Sequence, residues 1–149
     1  MPRIFSRTLE VSADAIDMNR HLSNLAYLRW MQDIAVEHSA AQGWPVRRYL
    51  ETGTSWVVRS HFIEYLRPAF AGDSIAVHTW VAAMGERSSP RRYLFARNGD
   101  RRVLAKAETQ WVYVELATGK PLRIPGELGT AFDILPSEEE VLRELGLAD

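Results

Sequence analysis

The spacing of apolar residues changes twice in the first third of the chain. In residues 4–13, "IFSRTLEVSA", Leu9 and Val11 fall on one side of an extended chain and Thr8 and Glu10 on the other. That alternation predicts a half-buried strand. From Asn24 to Gln42 the step lengthens, and Leu25, Leu28, Met31, Ile34, Ala35 and Ala41 form the stripe of a helix. Ser23 is placed to cap its start, Gly43 to stop it, and Pro45 to confirm the end. Such a helix would be about 28 Å long. Period two then returns. It predicts strands over 54–66, closed by Arg67-Pro68, over 73–84, opened by Gly72-Asp73, and over 91–98 and 102–116, joined by a turn at Gly99-Asp100. Residues 117–128 read as a loop, and Ser137 with Glu140 forms a capping box for a short helix over about 137–147.

One strand, one long helix and a run of antiparallel strands make an α+β two-layer fold in a single domain over residues 1–149. The odd positions of the last strand, Val103, Ala105, Ala107, Thr109, Trp111 and Tyr113, include small residues that let a helix lie close. This face is expected to meet the helix. A curved sheet around one helix leaves open edges, so a homodimer joined edge to edge, or a dimer of dimers, is expected.

Composition narrows the function. The net charge of −1 gives no general pull toward nucleic acid or an anionic membrane. The absence of Cys excludes a thiolate nucleophile and Cys-ligated zinc, and the four His residues, 21, 38, 61 and 78, show no metal-ligand spacing. No metal and no separate cofactor is expected. No run approaches the roughly 18 apolar residues of a membrane span, and the N-terminal residues lack the apolar block of a signal peptide, so a cytoplasmic protein is expected. There is no G-x-S-x-G motif, which argues against a serine nucleophile.

The candidate chemistry lies in "DMNRHLSNLAYLRW", residues 17–30. If residues 17–21 run extended, Asp17, Asn19 and His21 point one way and Met18 and Arg20 the other. They would converge beside the free N–H groups of a helix start, which favour negative charge. A thioester or ester carbonyl could rest its oxygen there while Asp17 attacks it or takes a proton from water. Asn19 could orient the water, and His21 could hold Asp17 by a hydrogen bond or pass protons. The same residues are also common as caps and turn formers.

This stretch resembles the helix-entry motif of hotdog-fold thioesterases, in particular the D-x-N-x-H-x-x-N-x-x-Y pattern of plant acyl-carrier-protein thioesterases and the 4-hydroxybenzoyl-CoA thioesterase-like enzymes. "IEYLRPAFAGDSIAV" and "AETQWVYVELATGKPLRIP" resemble later parts of the same family, so the likeness spans about residues 5–132. It implies a hotdog fold, one long helix wrapped by a curved antiparallel sheet of five to six strands, and hydrolysis of an acyl thioester. Acyl-CoA is favoured over acyl-carrier protein, with coenzyme A entering only as part of the substrate. The resemblance implies Asp17 as nucleophile or base, Asn19 and His21 as the active-site amide and imidazole, the Asn24 backbone N–H as oxyanion donor, and active sites shared between two chains. Many relatives have Gly and Asn where this chain has Arg20 and Ser23.

Further candidates are less constrained. Glu64 is a possible second carboxylate, or simply a wet-face strand residue. Arg87, Arg91 and Arg92 flank "SSP" at an expected hairpin, with Arg97, Arg101 and Arg102 at the next turn. Either cluster could hold the phosphates of coenzyme A or an acidic carrier protein, or be a solvated turn. Trp56, Trp80, Trp111 and Phe62 could line an acyl tunnel or fill the core. The rival functions are a hydratase or dehydratase on the same fold, for which N-P-x-H-x-D is missing, and a non-catalytic acyl-CoA-binding protein.

Overall fold

The computed structural model describes residues 3–147. Strand β1 (Phe5–Glu10) leads to helix α1 (Asn24–Ala41), a short helix α2 (Val46–Thr52), and strands β2 (Thr54–Tyr65), β3 (Ser74–Val81), β4 (Ser88–Arg97) and β5 (Arg102–Glu115). Helices α3 (Gly126–Gly129) and α4 (Glu138–Leu145) follow. The five strands form one antiparallel sheet in the order β1-β3-β4-β5-β2, which leaves β1 and β2 at the edges.

Helix α1 starts where its sequence cap predicts, with the Ser23 hydroxyl accepting from the Leu25 N–H at 3.2 Å. It stops at Gly43, whose φ of +92° suits glycine. Its buried stripe is Tyr27, Met31, Ile34, Ala35 and His38. Leu25, expected in the stripe, is 75% exposed. Tyr27 and His38, absent from the expected set, are buried instead. Tyr27, Met31 and Ile34 pack on Ile75, Val77, Tyr93, Phe95, Ala105 and Ala107. Pro45, just past the end of α1, caps α2, a helix the sequence pattern did not predict.

Tyr113 of β5 packs with Trp44 and Tyr49 beyond the helix, while Ala105 and Ala107 join the helix in the core, as expected. Val103 does not. Phe95 pairs with Ala105 but Ala96 with Val103, so Leu104 is an extra residue in a bulge. A bulge shifts the side-chain alternation by one, and Val103 turns to the opposite face. There it joins Trp80, Leu94, Leu135 and Val141 in a second core layer, covered by residues from the segment leading into α4 and by α4 itself. Helix α4 is capped as predicted, with Ser137 Oγ accepting from the Glu140 N–H at 3.2 Å. The outer face is therefore partly covered.

His78 also lies on that outer face, 8% exposed, with Nδ1 at 2.6 Å from Ser6 Oγ of the neighbouring strand. Burial holds its pKa down to about 4 from 6.5. The folded state therefore refuses a proton that the unfolded chain accepts below about pH 6.5. The neutral imidazole's contribution is complete above that pH and is lost as pH falls toward 4. In urea melts, wild type is expected to lose on the order of 2–3 kcal/mol relative to His78→Gln between pH 7 and 4. Parallel pH curves for the two proteins would contradict this.

Candidate active site

The segment that carries the candidate residues is a small hairpin, not an extended run. Ile16 and Leu22 bridge each other, the Asp17 N–H donates to the His21 carbonyl at 2.8 Å, and the Arg20 N–H donates to the Asp17 carbonyl at 3.0 Å. Asp17 Oδ1 accepts from the backbone N–H groups of Asn19 (2.9 Å) and His21 (3.3 Å). The loop is tied to the helix start by the Ser23 N–H donating to the Ala15 carbonyl at 2.8 Å. The expected co-pointing of Asp17, Asn19 and His21 through strand alternation is thus replaced by a turn. Asx side chains close such turns on their own backbone.

This turn explains residue 20. A three-residue hairpin loop ends on a left-handed residue, and Arg20 has φ +63°. Glycine adopts that conformation without cost. Arg20→Gly is expected to leave thermal stability unchanged or raise it by up to about 1 kcal/mol, and Arg20→Val to lower it by about 1–2 kcal/mol. Equal melting temperatures for the Gly and Val variants would remove the conformational argument.

The hairpin presents three different environments. Asp17 is half-buried, and its Oδ2 has no partner among the described residues. Asn19 is exposed. His21 is half-buried, edge-on to Phe70 with ring centroids 5.5 Å apart. Backbone N–H groups, not the His21 imidazole, hold the Asp17 carboxylate. The Asn24 backbone N–H, the first of α1, has no hydrogen-bond partner among the described residues, while those of Leu25 and Ala26 are taken up by Ser23.

The other candidates scatter. Glu64 projects from β2 between Ile63 and Tyr65, which both pack toward α1, so it lies on the far face of the sheet, away from the Asp17 loop. Arg87 is exposed in the β3–β4 turn. Arg91 and Arg92 are not in that turn, because β4 already begins at Ser88 and runs through Pro90. Arg92 faces outward, with Nε donating to Glu108 at 3.0 Å and Nη1 to the Pro136 carbonyl at 2.8 Å. Arg91 faces inward and is buried. These three arginines therefore form no common phosphate patch. In the other cluster, Arg97 pairs with Asp73 and Asp100, and Arg101 donates to the carbonyls of Leu145 and Gly146.

A cavity of about 180 Å³ opens beside the C-terminal half of α1. Trp56 and Trp111 line it. Trp80 instead fills the outer core layer, and Phe62 is 67% exposed. Trp44, Tyr49 and Phe132 complete the aromatic wall. The sequence reading named none of the three, because it assigned no element to the segments that carry them. Among the described residues no three His, Asp or Glu side chains gather as metal ligands, and no helix is long and apolar enough to cross a membrane.

One long helix seated in a curved five-stranded antiparallel sheet, with an acidic hairpin at the helix entry, is the hotdog architecture of thioesterases. The chain belongs to the thioesterase-like superfamily, whose family profile matches residues 11–132. It is 24% identical over 153 aligned positions to the chloroplastic dodecanoyl-[acyl-carrier-protein] hydrolase of Umbellularia californica, an alignment that covers 95% of this chain and 40% of the relative. This chain thus spans less than half the length of that relative. The structure of a 12:0-ACP thioesterase from the same plant superposes with a TM-score of 0.78 at 23% identity, covering 93% of this chain and 54% of the other. A 1,4-dihydroxy-2-naphthoyl-CoA thioesterase from Synechocystis superposes with a TM-score of 0.78 at 17% identity, covering 86% of this chain and 94% of the other.

Proposed function

We propose that this chain is an acyl thioester hydrolase, acting on acyl-CoA in preference to acyl-carrier protein. The observation that carries the reading is the Asp17 carboxylate, anchored through one oxygen by two loop amides, beside the first N–H of α1; among the described residues neither the other carboxylate oxygen nor that N–H has a partner. The thioester oxygen rests on the Asn24 N–H. Asp17 Oδ2 takes a proton from water as the water adds to the carbonyl carbon, or attacks that carbon itself to form a mixed anhydride that water then hydrolyses. The C–S bond breaks, the thiolate leaves and is protonated, and the free acid remains. Asn19 and His21 flank the acid and orient water or substrate.

The active unit in this reading is a homodimer. Asn24 and Ala35 are eleven residues apart on α1, about 16 Å, and Ala35 lines the cavity. Acid and cavity of one chain are therefore at different ends of the helix. An isologous two-fold pairing of the β2 edges sets the two α1 helices antiparallel and brings the acid of each protomer toward its partner's cavity. Exposed Val57 and Tyr65 on β2, with Leu25 and Val36 on α1, provide apolar surface for that contact.

Thiol release from a panel of acyl-CoA esters, acetyl to palmitoyl with benzoyl and phenylacetyl included, tests the reading, with enoyl-CoA hydration assayed in parallel. Release from at least one ester by a dimeric protein is expected. Hydration without thiol release, or tight acyl-CoA binding with neither reaction, would replace it.

A further inference from the structure

The cavity beside α1 has one member that its own chemistry does not explain. Much of its wall is hydrogen-bonded within itself. The Ser39 hydroxyl donates to the Trp44 carbonyl at 2.8 Å, Ser39 Oγ and Tyr49 Oη lie 2.8 Å apart, and Trp56 Nε1 donates to Tyr49 Oη at 3.0 Å. Arg91 is different. It lines the same cavity, is 6% exposed, and its Nη1 donates to His38 Nδ1 at 2.8 Å and to Thr79 Oγ1 at 3.2 Å. Both acceptors are neutral. His38 Nδ1 must be unprotonated to accept, so the imidazole supplies no countercharge and adds no cation. Phe132 lies against the guanidinium, 5.8 Å from Cζ to the ring centroid. Among the described residues no carboxylate forms an ion pair with Arg91, whereas Arg92 and Arg97 each hold at least one.

A guanidinium stays charged at any ordinary pH, even where burial draws its pKa down as it does here. A buried cation without a counter-ion is costly, and proteins keep buried charges paired. The missing anion is therefore looked for in the occupant of the cavity. Coenzyme A phosphates are poor candidates, because a nucleotide does not reach a nearly enclosed side chain facing the interior of an aromatic pocket. The acyl group does.

We propose that the acyl group accepted by this cavity carries a second carboxylate, which pairs with Arg91: the substrate class is the mono-thioester of a dicarboxylic acid. This rests on the hydrolase reading for its chemistry but not for its binding. The planar fork of the guanidinium suits two carboxylate oxygens at once, and the dry surroundings strengthen the pair. The aromatic walls carry the chain or ring between the two ends. Plain fatty acyl groups leave Arg91 unpaired and are disfavoured.

The test compares two non-hydrolysable thioethers of coenzyme A with matched chains, one ending in a carboxylate and one in a methyl group, by titration calorimetry on the full chain. In wild type the carboxylated compound is expected to bind about tenfold tighter or more. In Arg91→Met, which keeps the length of the side chain without its charge, the difference is expected to disappear. Equal affinities in wild type, or tighter binding of the methyl-ended compound, would overturn the proposal. So would a preference that persists in a folded Arg91→Met protein. If that variant does not fold, the wild-type comparison still decides. Binding of the thioethers needs no turnover. A protein that selects the carboxylated thioether yet releases no thiol from the matching thioester would retain this inference and lose the hydrolase reading. Rapid hydrolysis of plain acyl-CoA with no selectivity would do the reverse.

Discussion

Asp17→Asn is expected to lower thiol release by at least about 100-fold and to leave the melting temperature where it is. The two halves of this expectation come from the two oxygens of one side chain. Oδ1 closes the hairpin by accepting from the N–H groups of Asn19 and His21. An asparagine retains one carbonyl oxygen and can accept the same two bonds, so the loop keeps its shape. What it loses is the negative charge and basicity at the other position, which the proposed reaction uses. Asp17→Ala provides the contrast: it loses the turn closure as well, so its activity and stability are expected to fall together. Initial rates of thiol release and thermal melts on the three proteins decide the matter. An Asn variant at wild-type speed would leave Asp17 as a turn former only.

The largest expected stability effect lies on the other side of the sheet. Trp80 is fully buried there against Leu94, Val103, Leu135 and Val141. Trp80→Ala removes a large side chain from a layer that cannot collapse without moving α4, so a loss of about 3–5 kcal/mol is expected. In a chain of this size that is roughly a 10 °C fall in melting temperature. Phe62→Ala, on the open part of the sheet at 67% exposure, is expected to change stability by less than about 0.5 kcal/mol in the monomer. Chemical unfolding of both variants checks the comparison. Similar losses at the two positions would mean that the C-terminal segment does not seal this face.

The order of elements was legible because each left a strong local signal. The Ser23 and Ser137 caps, the glycine stop at 43 and the period-two strands are short-range features; the caps and the stop appear where the pattern puts them, and each strand overlaps its predicted range. The failures are also physical. The start of β4 was missed because Pro90 reads as a turn residue, yet it sits in the first residues of the strand and its carbonyl still accepts from the Ala82 N–H at 3.0 Å. With that start went the placement of Arg91, which the sequence assigned to a wet turn and the fold buries. A bulge has no sequence signature strong enough to foretell that Val103 would change face. At the site, the identity of the loop was readable but its shape was not. The spacing of Asp17, Asn19 and His21 fits an extended strand and a tight turn equally, and only the backbone pairing distinguishes them.

Because main-chain amides grip the acid, its position does not depend on which side chains stand at 19 and 21. Those two sites are natural targets for a randomised library: they border the groups proposed to react, yet changing them leaves the anchor of Asp17 in place. Catalytic preference in this lineage could diversify there at little risk to the scaffold, with residue 20 held to types that tolerate the left-handed bend.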